Sequence, residues 1–119
     1  MFYKLSDIAP QDVYDGYRAR IFHGDDITFA VLEIAPNAKL PTHRHTNEQV
    51  GMLVLGSLTF NVGEETRTLG AGEAWAIPSN TDHDAAAGPE GATVIETWSP
   101  PRADFRNLPK LEASTPSWP

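Results

Sequence analysis

Thr42-His43-Arg44-His45-Thr46-Asn47-Glu48-Gln49-Val50-Gly51-Met52-Leu53-Val54-Leu55-Gly56-Ser57-Leu58-Thr59-Phe60-Asn61-Val62 is the stretch on which the fold turns. Val50 to Leu55 is a continuous apolar run, the pattern of a strand buried on both faces. Gly56-Ser57 breaks it, and Leu58 to Val62 then alternates with period two, as a half-buried strand does. The polar start of the stretch carries chemistry. His43 and His45 lie two apart, and side chains two apart on a strand point to the same face. Both imidazoles can therefore aim at one point. A third, His83, lies far downstream and must be delivered by another strand. Three imidazoles so arranged can close around one metal ion.

The flanking sequence repeats the strand signals. Ile27 to Ile34 is rich in β-branched and aromatic residues and ends at Ala35-Pro36-Asn37, a turn signal. Gly63-Glu64-Glu65 turns the chain into a short polar strand, Thr66 to Leu69. After Gly70-Ala71-Gly72, Ala74 to Ile77 stops at Pro78, which cannot donate to a central ladder. His83 to Ala87 ends at Gly88-Pro89-Glu90-Gly91, and Ala92 to Trp98 forms the next strand. No apolar run sustains helical spacing. Many short strands at close spacing predict an all-β barrel or sandwich, and 119 residues without a linker or repeat predict a single domain, 1–119. The ends are peripheral to it. Phe2 to Leu5 is a weak strand candidate, either a self-paired edge or an arm that pairs with a neighbouring subunit. The Pro- and Ser-rich tail Leu111 to Pro119 is expected to fray unless Trp118 docks.

Composition narrows the function. Nine Lys and Arg against sixteen Asp and Glu give a net charge of −7, which repels phosphate backbones and argues against nucleic acid as a partner. There is no cysteine, hence no disulfide and no thiolate ligand. The start lacks a signal-peptide pattern, and no apolar run approaches the roughly 20 residues that span a bilayer. These features predict a soluble, cytoplasmic protein.

Parity helps select a fourth donor. On a regular strand, positions 43, 45 and 49 share a face and Glu48 points away. Gln49 is then the ligand through its amide oxygen; a bulge in Thr46-Asn47 would bring in Glu48 instead. The choice matters because three imidazoles and an amide leave the ion's charge uncompensated, and such an ion polarises a bound oxygen strongly. Imidazole with oxygen donors suits a divalent transition ion, Zn, Ni, Fe, Mn or Co. His23 has no partner at useful spacing and is expected to be a surface histidine. Glu96 and Trp98 share parity, so one strand face carries an acid and an apolar wall. Arg102 follows Pro100-Pro101, which stiffens its approach, and its planar fork suits a carboxylate. The plainer alternatives are an outward Glu96, a surface ion pair at Arg102, and core roles for Trp75 and Trp98.

These residues resemble the cupin superfamily. Its first motif, His-x-His, then three or four residues, Glu or Gln, then six residues and Gly, is matched by His43, His45, Gln49 and Gly56. Its second, Gly, five residues, Pro and a later His, is matched by Gly72, Pro78 and His83; the usual Asn beyond that histidine is Ala87 here. The resemblance covers about residues 20–105 and implies a double-stranded β-helix (jelly-roll) barrel with the ion inside, often as a homodimer. Val94 to Phe105 is further similar to the pectin-degradation cupins, which ketonise unsaturated monouronates. That likeness implies catalytic roles for Glu96 and Arg102 and a pocket position for Trp98; Trp75, outside the likeness, is a further candidate for the pocket wall. The family's acid is typically Asp and its aromatic Phe, so the pocket is expected to differ in shape. The implied activity is a metal-dependent ketonisation with ring opening. An Fe(II) dioxygenase and a non-catalytic ligand-binding barrel remain alternatives, since one fold hosts many functions.

Overall fold

In the computed structural model, which describes residues Met1–Pro119, eight strands carry the chain. They are β1 (Gln11–Tyr14), β2 (Tyr17–His23), β3 (Thr28–Ile34), β4 (Lys39–His43), β5 (Glu48–Val62), β6 (Glu65–Leu69), β7 (Ala74–Ile77) and β8 (His83–Ser99). Every pairing is antiparallel. The ladder runs β1-β2-β3-β8-β5-β6, with β4 added to β8 and β7 added to β5. No helix is long and apolar enough to cross a membrane.

Two of these strands are longer than the sequence predicts. Gly56-Ser57 does not end β5, and Gly88 to Gly91 does not end β8. Both strands run on through register shifts, one of them between Gly56 and Leu58. The reason is local. Gly56 has φ +80° and Gly91 φ +76°, and a Cβ on Gly56 would strike the Gly91 carbonyl and the Ala92 backbone. Glycine here bends two crossing strands where they touch. Each long strand thereby serves two layers. Glu48–Gly56 pairs with Ala92–Ser99, and Leu58–Val62 with His83–Ala87. The first layer adds β3 and β7; the second adds β4 and β6.

The expected closed barrel is corrected: the sheet stays open, with β1 and β6 as unjoined edges. Both edges are short and carry outward charges, Asp12 on β1 and Glu65 and Arg67 on β6, the features that keep an edge from pairing further. The core lies between the layers, with Leu53, Leu58, Ile77, Val94 and Thr28 sealed from solvent. A second correction concerns Val50 to Leu55. Leu53 is buried, but Val50, Met52 and Leu55 are 46%, 38% and 45% exposed, so this strand has one buried face and not two.

The ends also differ from expectation. Phe2 to Leu5 forms no strand; Leu5–Asp7 is a 3₁₀ turn, and Tyr3 stacks on Phe22 with centroids 4.4 Å apart. The C-terminal tail is laid against the sheet. Arg20 is buried on β2, and its Nη2 donates to the Ser114 carbonyl at 2.7 Å and to Ser114 Oγ at 2.8 Å, while Nη1 reaches Glu33 at 3.2 Å. A buried guanidinium needs acceptors, and the tail supplies them. The Ser117 N–H donates to Glu33 and the Leu111 N–H to the Pro10 carbonyl.

Candidate metal centre and its cavity

The fold brings three imidazoles together. His43 ends β4 and is the register partner of His83, which begins β8. His45 follows in the connection to β5. Ring centroids lie 4.2 Å apart for His43 and His83, 4.9 Å for His45 and His83, and 5.7 Å for His43 and His45. One ring nitrogen from each lies within 4.8 Å of the others. Each Nδ1 faces a backbone carbonyl: His43 that of Pro41 at 2.8 Å, His45 that of Asn47 at 2.9 Å, His83 that of Thr81 at 2.8 Å. A carbonyl only accepts, so each ring keeps its proton on Nδ1 and presents a lone pair at Nε2. Burial holds the His83 imidazole down at about 4 and pushes His45 below the usual histidine range, so both are neutral near pH 7.

Two features fit this set to a cation. His83 Nε2 is buried with no hydrogen-bond partner. His45 Nε2 lies 3.1 Å from Gln49 Oε1; with the His45 proton on Nδ1, two lone pairs face each other, and a positive ion between them relieves the repulsion. Gln49 is buried and Glu48 exposed. Shared parity with His45 requires a regular strand, yet residues 44–47 are not strand. Gln49 turns inward instead because β5 pairs it with Trp98 and Ile77, both buried.

His43, His83 and Gln49 line a cavity of about 270 Å³ together with Glu96, Trp98 and Arg102; Tyr17, Phe60 and Phe105 are among its other walls. Glu96 is 4% exposed. Burial pushes its carboxyl up to about 8, against the opposing hydrogen bonds from Trp75 and Gln49. Trp75 Nε1 donates to both carboxylate oxygens, at 3.1 and 3.0 Å. Trp75 thus stands behind Glu96 and against Phe60, ring centroids 5.1 Å apart, and is not among the residues lining the cavity. Gly51, opposite Glu96 across the ladder, makes room for this acid: a Cβ there would meet Glu96 Oε2 and the Ile95 carbonyl.

Arg102 reaches the cavity from beyond β8. Its guanidinium carbon lies 4.1 Å from the Phe105 ring centroid and 5.5 Å from that of Trp98, and it pairs with Asp104. Its backbone N–H donates to Thr28 Oγ1 at 2.8 Å, and the same hydroxyl lies 2.8 Å from His23 Nδ1. His23 is therefore half-buried and partnered, not the free surface histidine expected; burial, then the nearby Arg106, lowers its pKa. Asn47 escaped the sequence pattern. Its carbonyl holds His45, and its buried amide donates to the Pro100 and Pro101 carbonyls, tying the histidine connection to the segment that carries Arg102.

Open antiparallel layers around an inward histidine set define a cupin, and the chain belongs to the cupin family, whose cupin-domain profile matches residues 30–98. It is 30% identical over 106 residues to the pectin degradation protein KdgF of Dickeya dadantii (strain 3937), covering 87% of this chain and 96% of that one. Among solved structures, KdgF from Halomonas sp. superposes with a TM-score of 0.81 at 29% identity, covering 88% of this chain and 97% of that chain. An RmlC-like cupin from Shewanella frigidimarina NCIMB 400 gives 0.82 at 27% identity, with 87% and 94% covered.

Proposed function

We propose that this cupin converts small unsaturated uronates into linear ketonised products. The observation that carries the reading is one small cavity lined by paired imidazoles, a protonatable carboxyl and a guanidinium; likeness to KdgF over nearly the whole chain supports the substrate class. His43, His45, His83 and Gln49 would hold one divalent transition ion, which when bound supplies Lewis-acid polarisation of a substrate oxygen. The rest falls to the chain's own groups. Arg102 binds the substrate carboxylate with its planar fork. Trp98, Phe60 and Phe105 wall the cavity and exclude water. Glu96, kept protonated by burial and aimed by Trp75, moves the proton. The ring carbon–oxygen bond opens, the enolate so released takes the Glu96 proton on its alkene carbon, and the proton lost by the anomeric hydroxyl restores the Glu96 carboxyl. Atoms and oxidation state are unchanged, so no redox partner is needed.

The test is loss of the conjugated chromophore when the full chain, supplied with a divalent ion, meets unsaturated monouronates. Acceleration of at least about 100-fold over buffer is expected from a positioned acid–base group, without oxygen and with a redox-inactive ion. No acceleration removes this substrate class, and a strict need for oxygen removes the isomerase chemistry.

The outward face supports a homodimer as part of the same proposal. Val50 and Met52 pair with Thr97 and Ile95 across the ladder, and Ile95 lines one groove with the fully exposed Met1 and Phe2. Sedimentation is expected to give twice the chain mass, and V50D the single mass; a wild-type monomer at micromolar concentration contradicts it.

A further inference from the structure

Asp104 is not among the cavity residues, yet it grips the guanidinium that lines the cavity. Arg102 Nε donates to Asp104 Oδ1 at 3.0 Å and Nη2 to Oδ2 at 2.9 Å, so the carboxylate occupies the Nε/Nη2 edge. A guanidinium has five N–H donors in a fixed fork. Those of Nη1 make no hydrogen bond within the chain, which leaves the Nη1/Nη2 edge available. The two partners differ in exposure: the Arg102 side chain is 15% exposed and that of Asp104 63%. The carboxylate therefore sits on the solvent side and the guanidinium on the cavity side. The guanidinium is also braced from the wall, its carbon 4.1 Å from the Phe105 ring centroid. The main chain beneath it is pinned by the bond from the Arg102 N–H to Thr28, which is sealed from solvent. An ion pair with so exposed a carboxylate adds little to stability. What it fixes is direction.

We propose that Asp104 is a positioning residue: holding the Nε/Nη2 edge of Arg102 from the solvent side, it turns the Nη1/Nη2 edge toward the cavity as the docking edge for a ligand carboxylate. The choice of a carboxylate ligand rests on the uronate reading; the aiming of Arg102 rests on this geometry alone. Without Asp104, Arg102 keeps its charge but regains rotamer freedom, and a ligand must order it before pairing with it. A carboxylate that merely blocked Arg102 would act in the opposite sense, and its removal would tighten binding.

Calorimetric titration of the full chain with D-galacturonate, a saturated uronate with no alkene to ketonise, tests this against D-galactose, its neutral counterpart. D104A is expected to weaken galacturonate binding roughly tenfold or more, the scale of one well-placed charged contact, and to leave any galactose binding unchanged. D104E is expected to restore most of the loss. In an R102A background, D104A is expected to add nothing, because the two side chains act as one unit. Unchanged or tighter galacturonate binding by D104A, an equal loss for both sugars, or no galacturonate binding by the wild type would each overturn the proposal. Galacturonate binding that depends on Asp104, alongside no turnover of unsaturated uronates, would reject the ketonisation reading and leave the Asp104 clamp standing.

Discussion

Replacing Glu96 by glutamine is expected to lower turnover of unsaturated uronates by about 10²- to 10⁴-fold, the usual worth of a positioned general acid or base, with little change in KM. Glutamine keeps the size of the side chain and one oxygen to accept from Trp75, and it removes the transferable proton. The same substitution has a signature in stability. In the metal-free protein, burial raises the Glu96 carboxyl from 4.5 to about 8. Above pH 4.5 the unfolded chain releases a proton that the folded chain retains, so this group's contribution to stability falls as pH rises and levels off beyond about 8. E96Q removes that slope. Denaturant melts of stripped wild type and variant between pH 4 and 9 are expected to diverge toward alkaline pH, with the variant the more stable. Equal slopes would mean that Glu96 is not held neutral, and full activity in E96Q would remove it from the chemistry.

Replacing His83 by alanine is expected to cost more than about 100-fold in affinity for a divalent ion, beyond the 10- to 100-fold typical of losing an outer partner of a ligand, and to abolish turnover. His83 is 2% exposed, its Nε2 has no other partner, and its ring is the nearest neighbour of His43. H23A is the control. His23 bonds to Thr28 and stands apart from the three-histidine cluster, so ion affinity is expected to stay within about twofold of wild type, well inside a tenfold step. Competition with a chromophoric chelator reads both variants. Equal ion affinity in H83A and wild type would remove His83 as a ligand.

The strands that sequence displayed well are those whose ends are written in residue type. Ala74 to Ile77 stops at Pro78 and is strand β7 as expected. Gly56 and the Gly88–Gly91 segment misled because glycine both ends strands and lets strands approach, and only the crossing partner decides which; here Gly56 lies against the Gly91 carbonyl. The run Val50 to Leu55 encodes apolarity but not orientation, so its exposed face is not legible in it. His43, His45 and His83 could be grouped from spacing and motif, and the fold does bring them together. Gln49 faces inward as parity suggested, but through β5 pairing and not through a continuous strand from His45. Asn47, Asp104 and Gly51 gave no signal. Their meaning lies in contacts with Pro100, Arg102 and Glu96, which no one-dimensional periodicity records. The docking of the tail is hidden for a related reason: nothing in Tyr17-Arg18-Ala19-Arg20 shows that Arg20 is buried and needs the Ser114 acceptors.

The proposed chemistry depends on an ion held by the imidazole set. The most direct measurement is a titration of the stripped chain with a divalent transition ion, following bound ion by elemental analysis and chromophore loss from an unsaturated uronate in the same samples. The prediction is a single break at one ion per chain, with turnover rising in proportion to occupancy, and neither uptake nor turnover when His43 and His45 are both alanine. Turnover by the stripped chain, or ion uptake and activity that survive the double substitution, would contradict it.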